Sequence, residues 1–353
     1  MDHIAIDLGS RQSQICVRGP DGTILHQQRV CTLQLAKYLK RRSKARVILE
    51  TSSEAFAIAD IARELGHEVN VVPATLAKTL GVGSRGIKND RRDAQILSEV
   101  SCRIALPTVH IPSSTSRQRK QQCGMREALV IQRTALVNTV RGWLRSELIR
   151  IKSGTPISFP TRVREAALER PAGLPVSVER VLQVIDLLNE QIRAADKELE
   201  KLAEQDPLCR RLMTVPGIGP TTAIRFVAAI DDVSRFRKAH VLQSYLGLTP
   251  GEDSSGQRQR RTRITKAGAT HVRWTLTLAA HAARFHYPND PMVLWSRNIE
   301  QRSNKLIATM ALARKLAGVL FAIWRDGTTY QPRPTTPQLP ELPELHELTQ
   351  QTS

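Results

Sequence analysis

Two short apolar stretches decide the fold: residues 3–7 (HIAID) and residues 46–50 (RVILE). Both are rich in β-branched side chains, as strands are, and both end on an acid. Two further strands are predicted between them, at residues 13–18 and 24–30, joined by a turn that contains proline and glycine. Three strands therefore precede the second stretch.

Helices alternate with strands over the rest of this region. One is predicted at about residues 33–39, and another follows the second stretch, with residues 51–53 (TSS) as its cap. A strand at 68–72 comes next, and helices are predicted to begin near residues 74 and 90. The order strand-strand-strand-helix-strand-helix-strand-helix is typical of a ribonuclease-H-like α/β domain, in which the first and fourth strands lie side by side.

The chain carries a large surplus of positive charge. Its 353 residues include 52 Lys and Arg against 33 Asp and Glu, which gives a net charge of +19 and a pI near 10.4. Such a surplus predicts a polyanionic partner, because each phosphate that Lys or Arg neutralises releases condensed counterions. Nucleic acid is the first candidate, and an anionic membrane surface is the second.

The sequence disfavours the membrane. Its first residues, MDHIAIDLG, lack the basic and apolar regions of a signal peptide, and the apolar stretch 306–324 is interrupted by Arg314 and Lys315. Five scattered cysteines without a CxxC pair argue against a zinc site and against a disulfide framework. We expect a cytoplasmic protein with no membrane partner.

Composition divides the chain into four predicted parts. They are a metal-binding α/β domain (1–110), a helical linker with a coiled coil (111–205), a mainly α-helical domain (206–327) and a disordered proline-rich tail (328–353).

An apolar seam with spacings of four and three predicts the coiled coil. Its members are Val181, Ile185, Leu188, Ile192, Ala195, Leu199 and Leu202. A single amphipathic helix packed on its own chain explains the same spacing almost as well, because three heptads only just meet the threshold for a coiled coil.

Four acids form a candidate metal site: Asp7, Glu50, Asp90 and Asp93. Asp7 and Glu50 close the first and fourth strands and should meet at one edge of the sheet. Asp90 and Asp93 are three residues apart on a predicted helix and therefore share a face. Four carboxylates repel one another unless cations neutralise them, so the set predicts two Mg²⁺ ions that clamp a phosphate.

Taken singly, each acid also has an ordinary structural explanation. Asp7 precedes Gly9 and fits a turn, Glu50 fits the start of a helix, and Asp90 and Asp93 flank two arginines and fit a solvated face. The ordinary explanation is the better one for Asp93 alone and about even for the other three. The order of the four acids along these elements favours the metal site.

Residues 214–223 (TVPGIGPTTA) have the form of a helix–hairpin–helix. Gly217 and Gly219 allow a tight turn, and the N–H groups that begin the next helix can face a phosphate oxygen. The alternative is an ordinary turn between packed helices.

A serine loop with basic residues follows. Ser254 and Ser255 precede Gly256, and the candidate phosphate-binding cations after them are Arg258, Arg260, Arg261, Arg263, Lys266 and Arg273. Cations around an attacked phosphate would assist a serine nucleophile. Spacing alone favours a simpler hypothesis, in which the loop only binds phosphates.

Five ordered blocks resemble the DEDD insertion-sequence transposases, whose RuvC-like domain is joined to a serine-bearing transposase domain. The blocks are residues 4–7, 49–50, 88–94, 215–219 and 247–268. The resemblance runs from about residue 3 to about residue 325, and five blocks in order are far more specific than any one of them.

The resemblance implies a function and a role for each candidate residue. Asp7, Glu50, Asp90 and Asp93 would be the metal-binding tetrad, and Ser255, the serine directly before the glycine, would become covalently joined to a DNA phosphate. It also implies a dimer or tetramer held by the coiled coil, and DNA selected by a structured guide RNA. The chain departs from the family after Glu50, where residues 51–53 (TSS) replace a small residue and glycine.

Two other functions fit parts of the sequence. A metal-dependent, junction-resolving nuclease would use the four acids and water, and it leaves the serine loop without a purpose. A non-catalytic nucleic-acid scaffold would need neither Mg²⁺ nor Asp7.

Overall fold

The computed structural model describes residues 1–75, 90–168, 173–252 and 261–332. The chain forms two compact units, Met1–Ser113 and Ser114–Ser353, and each is described by itself. Helices and strands are numbered along the described residues.

The first unit is an α/β domain built on a five-stranded sheet. Its strands are β1 (His3–Asp7), β2 (Gln12–Arg18), β3 (Ile24–Cys31), β4 (Arg46–Glu50) and β5 (Glu68–Val72). The sheet order is β3-β2-β1-β4-β5. β1 pairs with β4 in parallel, and β4 pairs with β5 in parallel. The predicted side-by-side placement of the first and fourth strands is confirmed.

Helices cover both faces of this sheet: α1 (Leu35–Lys40), α2 (Ala55–Glu64) and α3 (Asp90–Arg103). Because side chains alternate along a strand, Ile4 and Ile6 pack with α1 and α2, whereas Ala5 packs with Leu97 of α3. The domain is therefore a three-layer sandwich.

The predicted cap at residues 51–53 is wrong. The residue before α2 is Glu54, and no side chain caps this helix. The Thr51 hydroxyl instead accepts a hydrogen bond from the backbone N–H of Ala74, at 3.0 Å, and the Thr51 N–H donates to the carbonyl of Val72. Thr51 thus ties the end of β4 to the chain that leaves β5.

The second unit is mostly helical. Its helices are α4 (Ser114–Ser146), α5 (Phe159–Leu168), α6 (Val176–Gln205), α7 (Pro207–Leu212), α8 (Pro220–Ile230), α9 (Ala239–Tyr245), α10 (Thr270–His286), α11 (Pro291–Arg302) and α12 (Lys305–Asp326). The strands β6 (Pro250–Glu252) and β7 (Arg261–Ile264) form an antiparallel ribbon.

The predicted seam of α6 packs on α4 of the same chain. Ile185, Ile192 and Leu199 are buried as expected. Leu182, Asn189 and Ala203 are buried in place of Val181, Leu188 and Leu202, and Asn189 accepts a hydrogen bond from Arg133 of α4 at 3.0 Å. The amphipathic helix packed on its own chain is the arrangement observed.

One described helix, α12, is long and apolar enough to cross a membrane by length and composition. It packs against α10 and α11 and buries Leu312, Leu316 and Leu320 in the core of the second unit. Arg314 donates to the side chain of Gln243 at 3.1 Å. These contacts are those of a core helix.

The glycines of the predicted hairpin differ in their surroundings. Gly217 has a φ of +83°, and a Cβ there would lie 2.2 Å from the carbonyl oxygen of Ala279 on α10. Gly219 has a φ of −95°, and a Cβ there would meet nothing within 4 Å. Gly217 is therefore required for the hairpin to pack on α10, whereas Gly219 lies on its open side.

Gly217→Ser should lower the free energy of unfolding by about 2–4 kcal/mol, from left-handed backbone strain and overpacking. Gly219→Ser is the matched control and should be nearly neutral, because serine is accepted at a helix N-cap. Urea unfolding followed by circular dichroism measures both. Equal losses in the two variants would contradict this packing role.

Candidate active site

Asp7 and Glu50 end adjacent parallel strands. The register pairs Ile6 with Leu49, so the next residue on each strand is an acid. Side chains two residues apart on a strand point to the same face of the sheet, so Asp7 shares a face with Ala5, and Glu50 with Ile48. Both of these apolar residues pack with α3. Both half-buried acids therefore belong to the sheet face that α3 covers.

The register of α3 on β1 brings a third acid to this edge. Ser101 is hydrogen-bonded to His3 at 2.8 Å, and Leu97 packs with Ala5. A step of four residues along a helix covers about 6 Å, and a step of two residues along a strand covers about 6.6 Å, so the two elements stay level with each other. One further step along each element brings Asp93, which is 6% exposed, to the level of Asp7.

The acids are of the chemical type that binds a divalent cation, because carboxylate oxygens are the ligands that Mg²⁺ prefers. The Ser52 hydroxyl, two residues after Glu50, is buried without a hydrogen-bond partner in the described chain and adds an oxygen near this edge. Among the side chains that the structure describes, however, no three His, Cys, Asp or Glu lie close enough together to hold an ion. Asp90 begins α3, and its side chain lies outside the described part.

The basic ribbon of the second unit is fixed at its base by a backbone crossing. Gly247 and Gly268 both have positive φ, and a Cβ at Gly268 would lie 2.0 Å from the carbonyl oxygen of Tyr245. The N–H of Lys266 donates to the carbonyl of Gly247, and Lys266 itself has a φ of +55°. Left-handed backbone at a non-glycine residue is strained and persists where its surroundings enforce it.

Arg273 stabilises the base of the ribbon from the interior of the second unit. The residue is 8% exposed, and its guanidinium donates to the carbonyls of Leu246 at 3.0 Å and Ala267 at 2.8 Å, and to the Thr270 hydroxyl. These bonds link the end of α9 to the start of α10. Sequence reasoning placed Arg273 among the phosphate-binding cations, and the bonds give it an internal role in positioning the ribbon.

Two of the predicted phosphate-binding cations lie on the described surface of the ribbon, namely Arg263 and Lys266. Trp274, whose side chain is 54% exposed, follows on α10 and was not among the predicted site residues. An aromatic residue that follows a basic stretch in the sequence is the signal that could have suggested it, because bases stack on such rings.

Other predicted residues lie outside the described residues. They are Ser254, Ser255, Arg258, Arg260 and the side chain of Arg261, in or beside the stretch between β6 and β7.

Two of the buried cysteines, Cys123 and Cys209, do not offer a second reactive centre. Burial raises the pKa of the Cys209 thiol to about 12, and it also raises the pKa of Cys123. Both thiols are protonated at neutral pH, and a thiol must ionise before it acts as a nucleophile or a metal ligand.

Two transposase family profiles match the chain in order. The profile of a DEDD transposase family matches residues 4–148, and that of the IS116/IS110/IS902 transposase family matches residues 209–292. The first match spans the carboxylate edge, and the second spans the hairpin and the ribbon. Together they cover well over half of the chain.

Similar proteins are found over nearly the whole length. A Pseudomonas aeruginosa protein named "Probable family 20 transposase" is 28% identical over 347 residues, which are 94% of this chain and 99% of the relative. The transposase for the insertion sequence element IS1111A of Coxiella burnetii is 26% identical, over 93% of this chain and 91% of its own. The transposase for the insertion sequence element IS1328 of Yersinia enterocolitica is 25% identical, over 93% of this chain and 98% of its own.

The two family matches and the similarity of the relatives over nearly the whole chain agree on one family. The chain belongs to the DEDD transposases of the IS110/IS116 insertion-sequence family.

Proposed function

We propose that this transposase cuts and rejoins DNA through a covalent link between Ser255 and a DNA phosphate, assisted by a divalent cation at the carboxylate edge. The observation that supports this proposal best is the edge itself. Asp7 and Glu50 end neighbouring parallel strands, and α3 brings Asp93 to their level. Acids gathered on a chain of net charge +19 suit a centre that handles phosphate through a cation.

The four acids have a shared role in this proposal. Asp7, Glu50, Asp90 and Asp93 would hold Mg²⁺, which supplies positive charge against a phosphate on which negative charge develops. Thr51 keeps the end of β4 beside the chain that leaves β5, and the packing of α3 on the sheet sets the height of Asp93. The acids are thus carried by regular elements, which hold a site more precisely than loops do.

Ser255 supplies the nucleophile. Its Oγ forms a bond to phosphorus as the bond from phosphorus to one strand oxygen breaks. The serine loses its hydroxyl proton, and the departing strand oxygen gains a proton. The number of phosphoester bonds is unchanged, so strands can be rejoined without a high-energy cofactor. Arg263 and Lys266 on the ribbon would neutralise the attacked phosphate, together with Arg258, Arg260 and Arg261.

Two further features of the proposal rest on the family resemblance. The carboxylates of one subunit and Ser255 of another would act on the same phosphate, in a dimer or tetramer. A structured RNA would select the DNA, and the basic balance of the chain suits two nucleic acids. In this assembly Gly219 and the start of α8 would contact a DNA phosphate, with Gly217 packing the hairpin.

Ser255→Ala should abolish the protein–DNA band that survives denaturation, because alanine has no hydroxyl to join phosphorus. The assay uses labelled element-end DNA, Mg²⁺ and the flanking element RNA, resolved on a denaturing gel. Ser254→Ala is the matched control and should keep the band. Both variants should bind DNA as the parent protein does.

A covalent band that persists in Ser255→Ala would remove this serine from the mechanism. Cleaved DNA with no attached protein would favour the junction-resolving nuclease. Activity that survives both Asp7→Ala and removal of Mg²⁺ would favour the scaffold.

Glu50→Gln should weaken the binding of Mg²⁺ or Mn²⁺ at least about tenfold, because an amide removes one negative charge and one strong ligand. Glu64→Gln is the matched control, since Glu64 is exposed on α2, which packs on the opposite face of the sheet. Calorimetric titration of the metal into protein without nucleic acid measures both. Equal affinities in the two variants would exclude Glu50 from the metal site.

A further inference from the structure

The helices α4 and α6 form an arm whose two ends pack in different cores. Cys123 on α4 and Leu199 on α6 join the main core of the second unit. Val140, further along α4, packs instead with Phe159 and Ile185 in a small separate core. A helix rises about 1.5 Å per residue, so the 33 residues of α4 extend about 50 Å.

Near the main core, acids neutralise two cations of α4. Arg119 pairs with Asp206 at 2.7 Å, and Arg126 pairs with Asp196 at 2.8 Å. Glu127 accepts from Arg225 of α8 at 3.0 Å. The charges of Arg119 and Arg126 are therefore used within the fold.

The far end of the arm has a surplus of positive charge. We call the residues Arg141, Arg145, Arg150, Lys152 and Arg162 the arm tip. The first four are exposed, and within the described ranges no ion pair joins any of the five to an acid. Arg164, two residues beyond the last of them, pairs with Glu179 and Asp186 at 2.8 Å each and so falls outside the arm tip.

The arm tip is a built structure. Arg162 donates to the carbonyls of Lys152, Thr155 and Ser158, so its guanidinium holds the loop between α4 and α5 in place. A Cβ at Gly154 would lie 2.9 Å from this guanidinium, which shows how closely the loop wraps it.

Two guanidiniums of the arm tip share one aromatic ring. Arg141 lies 5.7 Å and Arg162 lies 5.9 Å from the centre of the Phe159 ring. Both guanidiniums are positive, and a polyanion lowers the free energy of a surface that gathers like charges. Exposed cations that no described acid pairs with, on a loop that Arg162 holds in place, are a pattern with which proteins bind nucleic-acid backbones.

We propose that the arm tip is a second nucleic-acid site, which binds the phosphodiester backbone without reading sequence. It uses none of the residues of the serine loop or of the carboxylate edge, and it does not depend on the covalent mechanism. Because the chemistry is that of the phosphate backbone, the site takes either duplex DNA or folded RNA, and separate probes distinguish the two.

The test compares two triple variants with equal loss of charge. The tip variant is Arg145→Gln, Arg150→Gln and Lys152→Gln, which leaves Arg162 to hold the loop. The control is Arg193→Gln, Lys197→Gln and Lys201→Gln, at exposed positions of α6 among acids. Fluorescence anisotropy in EDTA measures the binding of the full chain to a 30-base-pair DNA duplex and to an RNA hairpin of similar length, over a range of salt concentrations.

The tip variant should bind at least about tenfold more weakly than the control variant near 150 mM salt. The plot of the logarithm of the association constant against the logarithm of the salt concentration should become less steep by about 2–3, because each lost phosphate contact contributes about 0.9 to the slope on duplex DNA. A loss confined to one probe assigns the site to that nucleic acid. The proposal would be overturned if the tip variant and the control variant bound both probes with the same affinity.

A charge-retaining variant separates charge from folding. Arg145→Lys combined with Arg150→Lys should bind like the parent protein, since lysine neutralises phosphate as a point charge. Binding as weak as that of the glutamine variant would show that the effect is structural and would also overturn the proposal. Since the assay excludes Mg²⁺ and cleavage, its result is independent of the Ser255 adduct.

Discussion

The parallel pairing of β1 with β4 is the constraint on which the carboxylate edge depends. Parallel strands end at the same edge of a sheet, so the pairing of Ile6 with Leu49 leaves Asp7 and Glu50 as neighbours. A slip of one residue would turn the side chains of a strand to the other face. In the observed register Ala5 and Ile48 pack with Leu97 of α3, and this packing keeps the two acids on the face that α3 covers. The site geometry is thus a consequence of core packing.

A different constraint governs the second unit, where backbone contacts do the positioning. Gly247 and Gly268 let two chain segments cross at van der Waals distance, and Arg273 bonds the carbonyls that the crossing brings together. The exposed Arg263 and Lys266 therefore project from a fixed base. At the far end of the arm, Arg162 fixes a loop through carbonyls in the same way. In both places a half-buried or buried arginine orders the backbone that displays exposed cations.

Local patterns in the sequence predicted the strands of the first unit, because short β-branched stretches and turn residues are local properties. The pairing of the first strand with the fourth was predicted from the order of the elements, which is typical of a ribonuclease-H-like domain. The exact phase of the α6 seam was not predictable from α6 alone, since Asn189 takes a seam position through Arg133 on another helix. The internal role of Arg273 was not predictable either, because the carbonyls of residues 246 and 267 that accept from it meet only in the folded chain. Likewise, the need for Gly217 comes from α10, more than sixty residues away. The four acids were predicted from their order along the elements.

We propose that the acids of β1, β4 and α3 hold one divalent-cation centre, although the described acids lie too far apart to hold an ion in this structure. Anomalous scattering from crystals of the full chain soaked in Mn²⁺ tests it most directly. We predict an anomalous peak at the carboxyl edge of the sheet, with oxygens of Asp7, Glu50 and Asp93 within about 2.5 Å of the ion. A strong peak elsewhere on the protein, with none at this edge, would contradict the claim.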